Sequence, residues 1–135
     1  MMKHLFTAIA LFVVGSLFAQ WNLNTIEAPQ EFENIYVHKL SSDSLGSSFL
    51  IWVKEDVRSH QHKVHSESIY VLEGAGRMTV GDSIFNIQSG TFIAVPSGTY
   101  HSVTVTSDIP LKVLSNQSPQ FLGKDRIFAG QIRRE

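Results

Sequence analysis

The chain has 135 residues, 43% of them hydrophobic and 17% charged, with a formal net charge of -1. That describes one globular domain with a real core rather than a disordered chain, and gives no reason to expect nucleic acid or an anionic membrane surface as a partner. There are no cysteines, which excludes disulfides, thiolate metal ligands and cysteine nucleophiles. Met1 to Ala19 reads as a secretory signal: Lys3 supplies the positive start, Leu5 to Phe18 is apolar apart from Thr7, Gly15 and Ser16, and Ala19 suits the position before cleavage. Leu17 sits where a smaller residue would be better, so cleavage after Ser16 is the fallback. A membrane span takes about 20 apolar residues and this run is shorter, so no stable membrane anchor is expected once it is removed. The protein is expected to be exported to the periplasm or the extracellular space. Residues 20–135 are left as one domain with an N-terminal arm and a C-terminal tail.

Trp21 to Glu31 is a polar lead-in that contains Pro29. Phe32 to Leu40 reads as a strand, and Ser41-Ser42-Asp43-Ser44 as a turn whose short polar side chains compete for backbone hydrogen bonds. Phe49 to Val53 is a continuous apolar run, expected to be a strand buried on both faces or shared with a second subunit. Glu55 to Ser59 then leads into the histidine stretch that follows. Ser68 to Leu72 follows as a strand, with a reversal at Gly74-Ala75-Gly76. Arg77 to Val80 and Ser83 to Ile87 flank Gly81-Asp82, a two-residue hairpin spacing. Thr91 to Val95, His101 to Val105 and Pro110 to Leu114 are further strands. The tail from Ser115 has apolar anchors but no period, and is expected to pack against the outside of the barrel. No glycine-rich phosphate loop and no serine triad occurs.

The chemistry concentrates between His60 and His101. Side chains on a strand repeat every two residues, so His60 and His62 face the same side and Gln61 the other. Glu67 follows five residues after His62, and Pro96-Ser97-Gly98-Thr99-Tyr100 turns the chain into His101. A sheet that folds back brings His101 to the other three, and three imidazoles with a carboxylate on one inner face make a metal site.

In this stretch the chain resembles the cupin family. His60-Gln61-His62, four residues, Glu67, six residues and Gly74 match the first cupin motif. Gly90, five residues, Pro96-Ser97-Gly98, two residues and His101 match the second, with Val105 where the pattern has asparagine. The resemblance implies an all-β, antiparallel jelly-roll barrel, a pairing of two copies into a homodimer, and His60, His62, Glu67 and His101 as metal ligands. Neutral imidazoles and a carboxylate suit a divalent iron, manganese, zinc, nickel or copper ion. Four ligands on one side of an octahedral ion leave two positions for water, substrate or dioxygen; a closed tetrahedron means structural zinc instead. His65 is expected to be solvent-exposed, with the orienting of a ligand as the alternative. Tyr70, Met78, Phe85, Phe92 and Tyr100 are candidates for a pocket wall, with core packing as the first expectation. Glu73 is expected to be exposed, and nothing ties His38 to the site.

Three functions remain. One is a metal-dependent enzyme, of oxygenase or isomerase type, acting on a small oxygen-bearing molecule. Another is a non-catalytic binding or sensing module for a small molecule or metal. In the third, the metal only staples the barrel and the outer surface binds another protein.

Overall fold

The short alternating runs form antiparallel strands, which the computed structural model describes over residues 20–130. The expected signal segment, Met1 to Ala19, lies outside the described residues. Numbered along the chain, β1 (Ile35–Ser42), β2 (Ser47–Val53), β9 (Leu111–Ser118), β4 (Ser66–Glu73) and β7 (Phe92–Val95) lie side by side in one sheet. A second sheet holds, in order, β10 (Arg126–Phe128), β3 (Asp56–His62), β8 (His101–Val105), β5 (Ala75–Val80) and β6 (Ser83–Gln88). The all-β jelly roll holds, but the closed barrel does not: the two sheets face each other without joining edge to edge. Two of the four edge strands, β7 and β10, have only four and three residues, too few to extend a hydrogen-bonded ladder across the gap. The one helical turn among the described residues is Leu23–Thr25, capped by the Asn22 side chain.

The core lies between the sheets. Val53, Ile69, Val71 and Leu111 of the first sheet meet Met78, Ile87 and Val103 of the second, all buried. Each such side chain contributes about 1.5–3 kcal/mol when removed from water. The run Phe49 to Val53 is buried on both faces, as its composition requires, but the chain covers both faces itself. Trp52 stacks against Tyr36 at 5.7 Å, and the buried Lys112 lies over its ring while ion-pairing with Glu73 at 3.0 Å. Phe49 meets Phe121 edge-on at 6.1 Å.

The hairpin at Gly81-Asp82 forms as the spacing requires, with Val80 directly opposite Ser83. Gly81 alone takes a positive φ, 57°, the pattern of a turn with glycine at its first central position. Gly74 has φ 78°, and a Cβ there would lie 2.8 Å from the Pro110 carbonyl, so this reversal admits only glycine.

Two extents are corrected. Strand β3 begins at Asp56, inside the stretch read as a lead-in to the histidines. Strand β9 runs on to Ser118, and the tail supplies β10, which pairs with β3 from Arg126 opposite His62 to Phe128 opposite His60. The tail is therefore part of the second sheet rather than a cover on the outside. Its pairing uses backbone groups, which leave no apolar alternation in the sequence.

Candidate metal centre

His60 pairs directly with His101 across β3 and β8, and residues opposite each other share a face. Which face is decided by an irregularity. Val57 pairs with Val103 and His60 with His101, so three steps along β3 match two along β8. One extra residue in β3 makes a β-bulge, which re-aims every side chain after it. Without it, the inward position of Val57 would pass to Ser59 and Gln61. With it, His60 and His62 turn inward and are buried. The second motif is tied to the first by the backbone, because Gly98 N–H donates to the His62 carbonyl at 2.7 Å.

The structure thus gathers all four expected residues. Ring centroids lie 4.2 Å apart for His60 and His101, 5.1 Å for His60 and His62, and 5.3 Å for His62 and His101. The three imidazoles have ring nitrogens within 4.8 Å of one another. From β4 on the opposite sheet, Glu67 Oε2 lies 3.3 Å from His62 Nε2 and 3.2 Å from His101 Nε2.

Hydrogen bonding decides what these atoms can do. His60 Nδ1 lies 2.8 Å from the Arg58 carbonyl, and His101 Nδ1 lies 3.0 Å from the Thr99 carbonyl. A carbonyl oxygen only accepts, so each Nδ1 carries the proton, and in the neutral ring Nε2 is a bare lone pair. His62 Nε2 and His101 Nε2 are buried without a hydrogen-bond partner. Burial in an apolar setting pulls His60 down from 6.5 to about 4, against its bond to Arg58, and so keeps it neutral. Burial alone would raise Glu67, but the imidazoles of His101 and His62 and the Ser115 hydroxyl hold it well below the usual carboxylate range. An Nε2 facing the carboxylate lowers it only by carrying a proton, and a cation can take that proton's place. The donor set fits a divalent cation, which takes lone pairs from nitrogen and carboxylate oxygen together.

Residues that the sequence reading did not assign to the site complete its surroundings. Ser115 Oγ donates to Glu67 Oε1, and Gln117 Nε2 reaches the same oxygen at 3.3 Å. Their signal was present: Leu111, Val113, Ser115 and Gln117 continue one inward alternation along β9, turning polar where it meets Glu67. Asp125 carried no such signal. Its Oδ2 accepts from His65 Nδ1 at 2.7 Å and from Val64 N–H at 3.0 Å, and its Oδ1 stands 3.7 Å from His62 Nδ1. Burial would raise Asp125, yet the Val64 N–H and His65 hold it low.

His65 is correspondingly buried, 2% exposed, where a solvent position was expected. Its ring stacks on His62 at 4.3 Å under Phe121. Of the candidates for a pocket wall, Met78 lines the cavity described below and Phe85 packs against the core. Tyr70 and Phe92 face each other on the outer side of β4 and β7, and they and Tyr100 are exposed. Glu73 is exposed as expected, and His38 lies on β1 away from the cluster.

A cavity of about 90 Å³ opens beside the cluster, with His60, Glu67 and His101 on its wall and Ile51, Val57 and Met78 among its apolar lining.

The model of the cupin domain matches residues 48–115, which is half of the chain. The chain belongs to the cupin family. The cupin segment is 33% identical over 66 residues to an uncharacterized protein of Methanocaldococcus jannaschii, covering 49% of this chain and 53% of the relative. The chain thus spans about half the length of that curated relative. Among solved structures, an uncharacterized conserved protein with a double-stranded β-helix domain from Klebsiella pneumoniae superposes with a TM-score of 0.69 at 13% identity, covering 84% of this chain and 98% of that one. Bacillus subtilis oxalate decarboxylase superposes with a TM-score of 0.61 at 24% identity, covering 76% of this chain and 30% of that one. These structural likenesses are likenesses of fold.

Proposed function

We propose that this cupin is a metal-dependent enzyme acting on a small oxygen-bearing molecule, with the ion held by His60, His62, His101 and Glu67. One observation carries the reading: the buried His62 Nε2 and His101 Nε2, neither satisfied by a well-formed hydrogen bond, converge on Glu67 Oε2 at 3.2–3.3 Å. A divalent ion bound there supplies Lewis-acid polarisation of an oxygen on the bound molecule. The protein's own part is positional. Backbone carbonyls fix two imidazoles, Ser115 and Gln117 fix Glu67, and the apolar wall keeps bulk water from the reacting end. Iron, manganese, zinc, nickel and copper all suit the donor set. Export remains part of this proposal, resting on the pattern of Met1 to Ala19.

A second reading, a non-catalytic binding module, has one observation in its favour. Among the described residues, the titratable side chains on the cavity wall are His60, Glu67, His101 and Arg126, so little besides the ion's own ligands is left there for proton transfer.

The test is elemental analysis of the purified chain beside Glu67→Ala. One divalent ion per chain is expected in the wild type and a loss of most of it in the variant, with an unchanged β-sheet circular dichroism spectrum. Full metal content in Glu67→Ala would sink the assignment. Turnover of small hydroxy or oxo compounds by the loaded protein, absent from the metal-free form, separates enzyme from binding module.

A further inference from the structure

The wall of the cavity carries one positive charge, and nothing in the metal site accounts for it. Arg126 stands directly opposite His62 across β10 and β3, so its side chain rises from the same inward face as the metal-site histidines. It lines the cavity together with His60, Glu67 and His101. Arg126 and Ile35 are exposed members of that lining, and they mark where the cavity meets solvent.

The guanidinium makes no ion pair and no hydrogen bond among the described residues. It lies over the Phe121 ring, 5.8 Å from the centroid. The two nearby carboxylates are already engaged elsewhere: Asp125 by His65 and the backbone of Val64, and Glu67 by Ser115 and Gln117. An unpaired guanidinium at the mouth of a cavity that is apolar away from the histidine cluster offers a planar fork of donors that matches a carboxylate's two oxygens.

We propose that Arg126 anchors the carboxylate of a short-chain acid whose hydrocarbon body lies along the apolar wall and whose hydroxyl or carbonyl oxygen faces the histidine cluster. The proposal deepens the metal-site reading and rests on it for the orientation of the far oxygen. A cavity of about 90 Å³ favours a short acid over a sugar or a peptide. One cation balances one carboxylate, whereas a phosphate dianion would meet a single guanidinium beside Glu67 and Asp125.

The experiment is calorimetric titration of the full chain, metal-free and manganese-loaded, with 3-hydroxypropanoate, 4-hydroxybutyrate and 6-hydroxyhexanoate. Their neutral diol counterparts and inorganic phosphate are run beside them. At least one acid is expected to bind wild type about 10-fold or more tighter than its diol, the scale of one charge-assisted contact. Arg126→Gln is expected to abolish that margin without changing diol binding or metal content, and Arg126→Lys to restore part of it. An acid that binds Arg126→Gln as well as wild type, or phosphate that matches the best acid, would overturn the proposal. Should the wild type take up no manganese, the metal reading fails by itself. Arg126 is then judged on the metal-free titration, where the same loss of the acid-over-diol margin supports the anchor and its absence refutes it.

Discussion

Among the described residues, the four buried histidines divide into two pairs held by different means. His60 and His101 each give Nδ1 to a carbonyl two residues earlier in the chain, on the same strand for His60 and in the preceding turn for His101, so local backbone sets their rings. His62 and His65 stack on each other and turn Nδ1 toward one carboxylate, Asp125, which arrives from the far end of the chain. The first pair is positioned by atoms that no substitution removes. The second depends on one replaceable side chain, and its rings lie under Phe121 from the same tail. Two histidines of one motif thus differ in how robustly they are aimed, even where the motif spells them alike.

The largest effect that separates the pairs should come from removing the rings themselves. His101→Ala is expected to lose bound metal nearly completely by elemental analysis, whereas His65→Ala should retain the ion with reduced affinity. Equal loss in both would erase the distinction and make His65 a ligand. A smaller effect is expected from Asp125→Asn, which keeps the size of the side chain but removes the charge facing His62. Loss of a carboxylate that orients a metal-binding imidazole typically costs ~10–100-fold in affinity. Competition with a chelator measures it, and an unchanged constant would mean that His62 is held well enough by Phe121 and the strand.

The smallest effect is one of pH on the metal-free protein. His60 falls from 6.5 in the unfolded chain to about 4 in the fold, so the unfolded state takes up the proton first. Its contribution to stability is complete above ~6.5 and is lost as pH falls toward the folded value. His65, lowered chiefly by burial, adds in the same direction, and Glu67 and Asp125, both held low, add theirs as pH drops through the ordinary carboxylate range. The Tm should therefore decline between pH ~7 and ~4.5, and His60→Gln should flatten the upper part of that decline. A Tm insensitive to pH in the wild type would contradict the neutral state assigned to His60.

Much of the site was legible because the residues that build it stand at fixed intervals beside glycine and proline turns. His60, His62, Glu67 and His101 could be named from spacing alone, and the strands around Gly81-Asp82 and from His101 to Val105 fall where alternation puts them. The inward aim of His60 and His62 was read correctly as a shared face, yet that face is chosen by the bulge between Val57 and His60. A bulge leaves no residue pattern of its own, since it is a mismatch in count between two strands. The burial of His65 was missed for a related reason. The burying groups, Asp125 and Phe121, lie in a segment without period, and β10 is recruited by backbone pairing to β3. Ser115 and Gln117 were overlooked because a polar inward face looks like the end of a strand when apolar alternation is the only guide.

The position of β10 also sets an order of events. The contact between His65 and Asp125 spans 60 residues, so a nascent chain displays both histidine motifs well before the strand that completes their surroundings exists. Closing so long a loop carries an entropic cost that local hairpins such as β5-β6 avoid, and contacts of this separation form slowly. The site is consequently among the last features to mature. An ion that binds the finished cluster better than the partly assembled one draws that final docking forward, and metal uptake then becomes a clock for completion of the fold.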